Sequence, residues 1–288
     1  MENTVSILIV SKNVERYISS CLSSILAQSH QNFEVIIVDD SSSDATKDIV
    51  LAFNDERIHF YTNKKLLGRT ASRNKSVSLA KGKYLFFTDA DCRVHNKWVE
   101  EGLKFFENPN IVGVEGKTIY VSEDYKPTRS DDIVENYCGG HFMTCNMAYK
   151  RGAIEKAGGF DERLTHFEDR DIAFRVIRQG PILFNDRMIV YHQSKSMNPE
   201  QFLRTASILS NRVYLYKRFG SDPLICWRIA QPVELAKLIF PPIIFGSLFL
   251  GKYKSKKDFD IFPYIYPKTL KERLLFWKTC AKEKVLLL

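Results

Sequence analysis

No two of the six cysteines (Cys21, Cys92, Cys138, Cys145, Cys226, Cys280) form a C-x-x-C pair, so they read as reduced thiols of a cytosolic protein, packed mostly as small hydrophobes. The opening stretch, Met1 to Asn13, lacks the basic flank and long apolar core of a signal peptide; it holds an acid and then a strand. No apolar run reaches the roughly 20 residues that a membrane-spanning helix needs. The strongest, Leu238 to Leu250, is broken by Pro241, Pro242 and Gly246, and extending it back to Ile229 takes in Pro232, Glu234 and Lys237. It reads as an interfacial or re-entrant segment, or as a helical hairpin packed on the main domain. Internal repeats, low-complexity segments and nucleic-acid-binding motifs are missing too.

What is there is enough for a sizeable core: 288 residues, 44% hydrophobic and 12% aromatic, one large domain or a domain with an appendage. The net charge of +8 is uneven. From Lys252 to Leu288 ten Lys or Arg face four acids, so this tail carries +6 of it. A basic tail without a nucleic-acid motif points to an anionic lipid surface or to solubility.

Along the chain, apolar runs and helical spacings alternate. Val5 to Val10 reads as a buried strand, Val14 to Gln28 as a helix, Phe33 to Val38 as a strand, Ala45 to Phe53 as a helix, Arg57 to Tyr61 as a strand and Gly68 to Ala80 as a helix. The stretch Lys83 to Arg93, KYLFFTDADCR, supplies a fourth strand buried on both faces, with Asp89 and Asp91 directly after it. Then come a helix from Asn96 to Phe106, a strand from Ile111 to Val121, a long polar loop from Ser122 to Gly140, a strand from Phe142 to Tyr149 and a short helix from Arg151 to Ala157. After a loop over Phe160 to Phe167, a helix runs from Glu168 to Gln179 and a last strand from Ile182 to Tyr191, followed by His192. The chain beyond Pro199 turns helical and basic-aromatic.

An Asp-x-Asp pair alone is a turn or helix cap as readily as a ligand. Topology separates the two. Strand–helix alternation builds a parallel sheet with right-handed crossovers. In that sheet Ser11 to Asn13, Asp39-Asp40 and Asp89 to Asp91 emerge at one carboxyl edge, where open α/β sheets bind ligands. Two carboxylates that close repel unless a cation lies between them, and a hard divalent ion with oxygen ligands fits.

The residues VSILIVSKN, VDDSSSD, GRTASRN and FFTDADC, then CNMAYKR, AGGFDE, FEDRDIAFRV and His192, resemble family 2 glycosyltransferases of the GT-A fold, in order from about Val5 to His192. The resemblance implies a three-layer α/β/α sandwich over residues 1–195 that binds a nucleoside-diphosphate sugar; it does not reach residues 196–288, which read from their own pattern as a helical, basic extension. It implies an inverting, metal-dependent transfer to an acceptor hydroxyl, with a glycan or lipid-linked acceptor; the basic tail beside the apolar Leu238 to Leu250 stretch adds the expectation of a cytoplasmic protein peripheral to the inner face of the membrane. Residue by residue, it implies that Asp40 meets the donor base with Asp39, Ser11 and Asn13 supporting that loop, and that Arg69 and Arg73 face the donor phosphates. Asp91 would bind Mg²⁺ or Mn²⁺, with Asp89 and His192 as further ligands, and Asp169 would take the acceptor proton. Asn146, Gly159 and Glu168 fall on the acceptor side. Ser11-Lys12 stands where the family often has a proline and an aromatic.

Three competitors share parts of this pattern. A nucleotidyltransferase needs a glycine-rich loop after the first strand, and Ser11-Lys12-Asn13-Val14 has no glycine. An Asp-x-Asp phosphatase puts its nucleophile after the first strand rather than the fourth. A non-catalytic sugar-nucleotide-binding module leaves the catalytic positions unused.

Overall fold

The computed structural model describes residues 5–121, 135–193 and 208–219, together with 274, 275, 278, 279, 281 and 282. The chain divides into two compact units, Met1–Arg129 with Ile133–Ser194, and Ser130–Asp132 with Lys195–Leu288.

The first unit is built on an eight-stranded mixed sheet in the order β3-β2-β1-β4-β7-β6-β8-β5. Its left half is parallel: β1 (Val5–Ser11) lies between β2 (Phe33–Asp39) and β4 (Tyr84–Phe87), and β3 (Ile58–Thr62) pairs outside β2. These strands are Val, Ile and Phe runs because both their faces are covered. Ile7, Ile9, Val35, Ile37 and Phe86 form one core with α1 (Ile18–Leu26), α2 (Thr46–Leu51) and α4 (Trp98–Phe105). The alternate residues Leu8, Ile36, Val38, Leu85 and Phe87 are buried on the other face, where α3 (Arg69–Leu79) packs on β1 and β2 and Phe160 packs edge-on to Phe87.

The right half turns antiparallel. β7 (Met147–Lys150) runs against both β4 and β6 (Gly113–Val121), and β8 (Ile182–Gln193) runs parallel to β6. Two reversals restore the sense of β4, so β8 ends at the same edge as β1, β2 and β4. A strand that the sequence reading missed, β5 (Cys92–Val94), pairs antiparallel with the end of β8 and sets Cys92 opposite His192. The expected strand from Phe142 is shorter: Thr144–Asn146 is a 3₁₀ turn, and only then does β7 begin. Helices α5 (Arg151–Lys156) and α6 (Glu168–Val176) follow, α6 continuing into a 3₁₀ turn at Ile177–Gln179.

In the second unit, α7 (Ile208–Phe219) buries Val213, Leu215 and Phe219. Most of the polar loop read over Ser122 to Gly140, the apolar stretch Leu238 to Leu250 and nearly all of the basic tail lie outside the described residues. Among the described residues no helix is long and apolar enough to cross a membrane.

Candidate active site

The carboxyl edge is tied together by its own loops. Ser11 and Asp39 are register partners, and the Ser11 hydroxyl donates to Asp39 Oδ1 at 2.9 Å. Asp39 also accepts from the Ser42 amide and hydroxyl. Asn13, in the left-handed region with φ 51°, accepts from the Ser43 amide, and Lys12 Nζ donates to the carbonyls of Asp40 and Ser41. Ser11, Asn13 and Asp39 are therefore joints between the β1 and β2 loops. Asp40 is buried and accepts from Asn63 Nδ2 at 3.0 Å and from the amides of Leu67 and Gly68 at 2.8 and 2.9 Å. Burial acts to raise its pKa, but hydrogen bonds from Asn63, Leu67, Gly68 and Ser72 prevail and hold it below the usual value. Asp40 thus fixes the segment that opens α3.

Asp89 and Asp91 sit in a turn closed by the Cys92 amide donating to the Asp89 carbonyl at 3.1 Å. The turn expected of an Asp-x-Asp pair is present. His192 reaches the pair from β8: its Nε2 is 3.9 Å from Asp89 Oδ2 and 3.8 Å from Asp91 Oδ1. Its ring stacks on Tyr120 at 6.2 Å, and the Gln193 amide donates to the Asp91 carbonyl. His192 thus lies within 4 Å of each of two carboxylates, and oxygen and nitrogen donors of this kind suit Mg²⁺ or Mn²⁺.

On the other side of Asp89 lies Arg73. Its Nη2 is 3.4 Å from Asp89 Oδ1 and its Nη1 2.6 Å from Glu168 Oε1; the Arg73 and Glu168 side chains are only 5% and 3% exposed. Arg69 reaches the same Glu168 oxygen with Nε at 2.9 Å. Arg73, expected to face donor phosphates, and Glu168, expected on the acceptor side, meet here in a buried ion pair that links α3, the turn after β4 and α6. Burial would lower the Arg73 pKa, but Asp89, Glu168 and Asp169 outweigh it and raise it.

Asp169 follows Glu168 in the first turn of α6, behind Phe167, whose φ of 64° is a strained conformation for a bulky residue. Burial first, then the charge of Glu168, push the Asp169 carboxyl up to about 6, against the opposing charges of Arg170 and Arg73. One of its oxygens accepts from the Arg170 amide at 2.7 Å. Gly159 has φ 71°, and a Cβ there would lie 2.9 Å from Asn74 Oδ1; Asn74 clamps the next residue, donating to the Phe160 carbonyl and accepting from its amide. Gly159 therefore serves the shape of the chain leading to Asp169.

Asn146, expected on the acceptor side, lies in the interior. It is buried, accepts from Trp98 Nε1 at 2.8 Å, and donates to the carbonyls of Lys117 and Met188. An amide with these three bonds knits β6, β8 and α4. The sequence reading also passed over Cys92, Cys145 and Cys21, buried beside the carboxylates. Burial, reinforced by mutual contact in the case of Cys92 and Cys145 and then by the charges of Asp91 and Asp89, pushes the Cys21 and Cys92 thiols up. Only the step from Asp91 to Cys92 in the sequence hinted at them.

The chain matches the family described as Glycosyl transferase family 2 over residues 6–178. It is 31% identical over 150 residues to UDP-Glc:alpha-D-GlcNAc-diphosphoundecaprenol beta-1,3-glucosyltransferase WfgD of Escherichia coli, covering 52% of this chain and 56% of that protein. To the enzyme of the same activity named WfaP, also of Escherichia coli, it is 27% identical over 217 residues, 72% of this chain and 86% of that one. The chain thus matches little more than half the length of WfgD. Among solved structures it is similar to mannosyltransferase PcManGT from Pyrobaculum calidifontis in complex with GDP-Man and Mn²⁺, at TM-score 0.64 and 16% identity over 99% of this chain and 88% of that one. It is also similar to S. aureus TarS 1-349 in complex with UDP-GlcNAc, at TM-score 0.58 and 16% identity over 100% and 93%. With the family matching more than half its length and the sheet following the same architecture, the chain belongs to glycosyltransferase family 2 and has the GT-A fold.

Proposed function

We propose that this enzyme moves a sugar from a nucleoside-diphosphate sugar to an acceptor hydroxyl with inversion at the anomeric carbon, in glycan synthesis on a lipid-linked acceptor. The carrying observation is the Arg73 bridge, which joins the Asp89 carboxylate to Glu168, the neighbour of the carboxyl with the raised pKa, across one sheet edge. The acceptor class is supported by WfgD and WfaP, whose names give a diphosphoundecaprenol-linked acceptor.

In this reading Asp91, Asp89 and His192 would hold Mg²⁺ or Mn²⁺, which when bound supplies positive charge to the leaving diphosphate. Asp40 fixes the Asn63–Gly68 segment that bounds the donor, with Ser11, Asn13 and Asp39 holding the neighbouring loops. Asp169 takes the proton of the acceptor hydroxyl as its oxygen bonds to the anomeric carbon and the carbon–phosphate oxygen bond breaks. Arg73 keeps the carboxylates of both halves in register, and its charge joins that of Arg170 in opposing the rise of the Asp169 pKa.

A thermal-shift panel of nucleoside-diphosphate sugars with and without Mn²⁺ tests donor class and metal need together. Asp169→Asn is expected to keep the donor shift while transfer falls by about 10²–10⁴-fold, the scale of general base catalysis. Transfer by that variant at the parent rate would remove Asp169 as the base, and a panel with no Mn²⁺-dependent shift would remove the metal-dependent reading.

A second proposal concerns the membrane. The +6 tail beside the Leu238 to Leu250 stretch is suited to an anionic inner-leaflet surface, where a lipid-linked acceptor would be found.

A further inference from the structure

Strand side chains alternate between the two faces of a sheet, and Cys92, Val94, Val114 and Val190 lie in the core that packs against α1 and α4. Their neighbours Arg93, Glu115, Ile189 and Tyr191 therefore project from the opposite face, as do Lys117 and Ile119, the register partners of Ile189 and Tyr191. Arg93 pairs with Tyr191 from the other side. Lys117, Ile119, Ile189 and Tyr191 are half-buried and Arg93 is exposed, so two cations stand on a face that is partly open. A strand spacing of about 4.8 Å and a rise of about 3.3 Å per residue put the Lys117 and Arg93 Cα atoms about 12 Å apart, within joint reach of one small anion.

A turn built by a buried acid borders this face. Glu115, 2% exposed, accepts from the amides of Gly140, His141 and Phe142 and from Asn136 Nδ2. Phe142 sets its ring edge-on to Phe174 of α6, with 5.9 Å between centroids, so the helix that opens with Glu168 and Asp169 shares this face. The turn displays Tyr137, 52% exposed, with Lys117 Nζ 5.3 Å from the centre of its ring. Among the described residues no carboxylate lies within 4 Å of that ammonium, so its charge rests on an aromatic face and is not neutralised by an acid.

We propose that Lys117 and Arg93, with the Tyr137 ring beside them, form the subsite for the diphosphate of the acceptor. This rests on the transferase reading and on the lipid-linked acceptor class proposed above. A guanidinium grips phosphate oxygens through two parallel N–H donors and an ammonium meets them as a point charge, so the pair suits a compact anion of high charge. An acceptor held here by its diphosphate has its sugar on the face that α6 and Asp169 share. His192 alternates with Tyr191 and stacks on Tyr120 at the other face, so the imidazole read as serving the donor and the cations serving the acceptor are divided by the sheet.

The test reads equilibrium binding by the full chain without donor or Mn²⁺, using geranyl diphosphate and geraniol as probes that differ only in the diphosphate. The parent is expected to bind geranyl diphosphate at least about tenfold more tightly than geraniol. Lys117→Gln and Arg93→Gln should each weaken geranyl diphosphate binding about tenfold or more, the scale of a charge-assisted hydrogen bond, and Lys117→Arg should restore most of the loss. Mn²⁺-dependent binding of nucleoside diphosphates, which reads the donor side, should change less than about twofold in the same variants. Equal binding of the two probes by the parent overturns the proposal, and so does unchanged binding in both glutamine variants. A nucleoside diphosphate affinity that falls in step with geranyl diphosphate also overturns it, because the cations would then serve the donor. Should Lys117→Gln fold poorly by circular dichroism, Arg93→Gln at its exposed position and the parent's preference between the probes still decide. Sugar transfer by the parent is a separate measurement. Transfer without the diphosphate preference defeats the subsite alone, and the preference without transfer defeats the transferase reading alone.

Discussion

At the scale of single residues, the proposed mechanism makes Asp169 the group whose ionisation sets the rate. Its carboxyl is pushed up to about 6, and only the ionised form can accept a proton, so transfer should fall as pH drops through that value. The neighbours fix the direction of further shifts. Glu168 raises the Asp169 pKa, so Glu168→Gln should move the acid limb of the pH–rate profile to lower pH. Arg73 lowers it, so Arg73→Ala should move the limb upward. A limb that stays put in both variants would show that another group titrates. The raised pKa also has a stability sign. Ionised Asp169 is disfavoured in the fold relative to the unfolded chain, a cost absent below the unfolded carboxylate pKa and complete above about 6. Asp169→Asn should therefore raise Tm at pH 8 relative to the parent, the gain fading toward pH 4. The place of Asp89 and Asp91 at the carboxyl edge was legible from strand–helix alternation, whereas Asp169 and His192 were singled out by the family resemblance. The pairing of Arg73 was legible from neither. The resemblance turned this residue toward donor phosphates, and the partners of its buried ion pair lie 16 and 95 residues away in sequence.

At the scale of elements, α3 acts as a clamp on the segment that carries the base. Thr70 donates to the Leu164 carbonyl, Asn74 makes two bonds to the Phe160 backbone, and Arg73 holds Glu168. Asn74→Ala would strand the Phe160 amide and carbonyl, a cost of about 1–3 kcal/mol for a buried unsatisfied group. A lower Tm and a reduced kcat with little change in donor KM are expected, because the clamp supports the base and not the nucleotide; an unchanged kcat would show that the segment holds its place without it. β6 is equally exacting at Gly116, where a methyl would overlap the Met188 carbonyl and the Asn146 amide. The parallel half of the sheet was legible from its unbroken apolar runs. The rest was less so for definite reasons. Cys92–Val94 is three residues long and too short for any periodicity. The strand expected from Phe142 starts late because Asn146 turns its amide to Trp98, Lys117 and Met188, bonds that no local pattern announces.

At the scale of the whole molecule, charge is the property left to explain. The net +8 does not come from the catalytic edge, where Asp39, Asp40, Asp89, Asp91, Glu168 and Asp169 gather; it comes mostly from Lys252 to Leu288. A surface carrying anionic lipid attracts each nearby Lys or Arg by about 1 kcal/mol, and that attraction decays over a Debye length of about 10 Å at 0.1 M salt. The apolar stretch Leu238 to Leu250 would add burial that salt does not screen. These two contributions separate in a cosedimentation experiment with the full chain. Binding to vesicles rich in anionic lipid should exceed binding to zwitterionic vesicles at low salt. As salt rises, the difference between the two vesicle types should collapse while a salt-independent remainder persists. Equal binding to both at low salt would refute the electrostatic part. A remainder of zero at high salt would refute the apolar part and leave a tail that only steers the enzyme toward its acceptor.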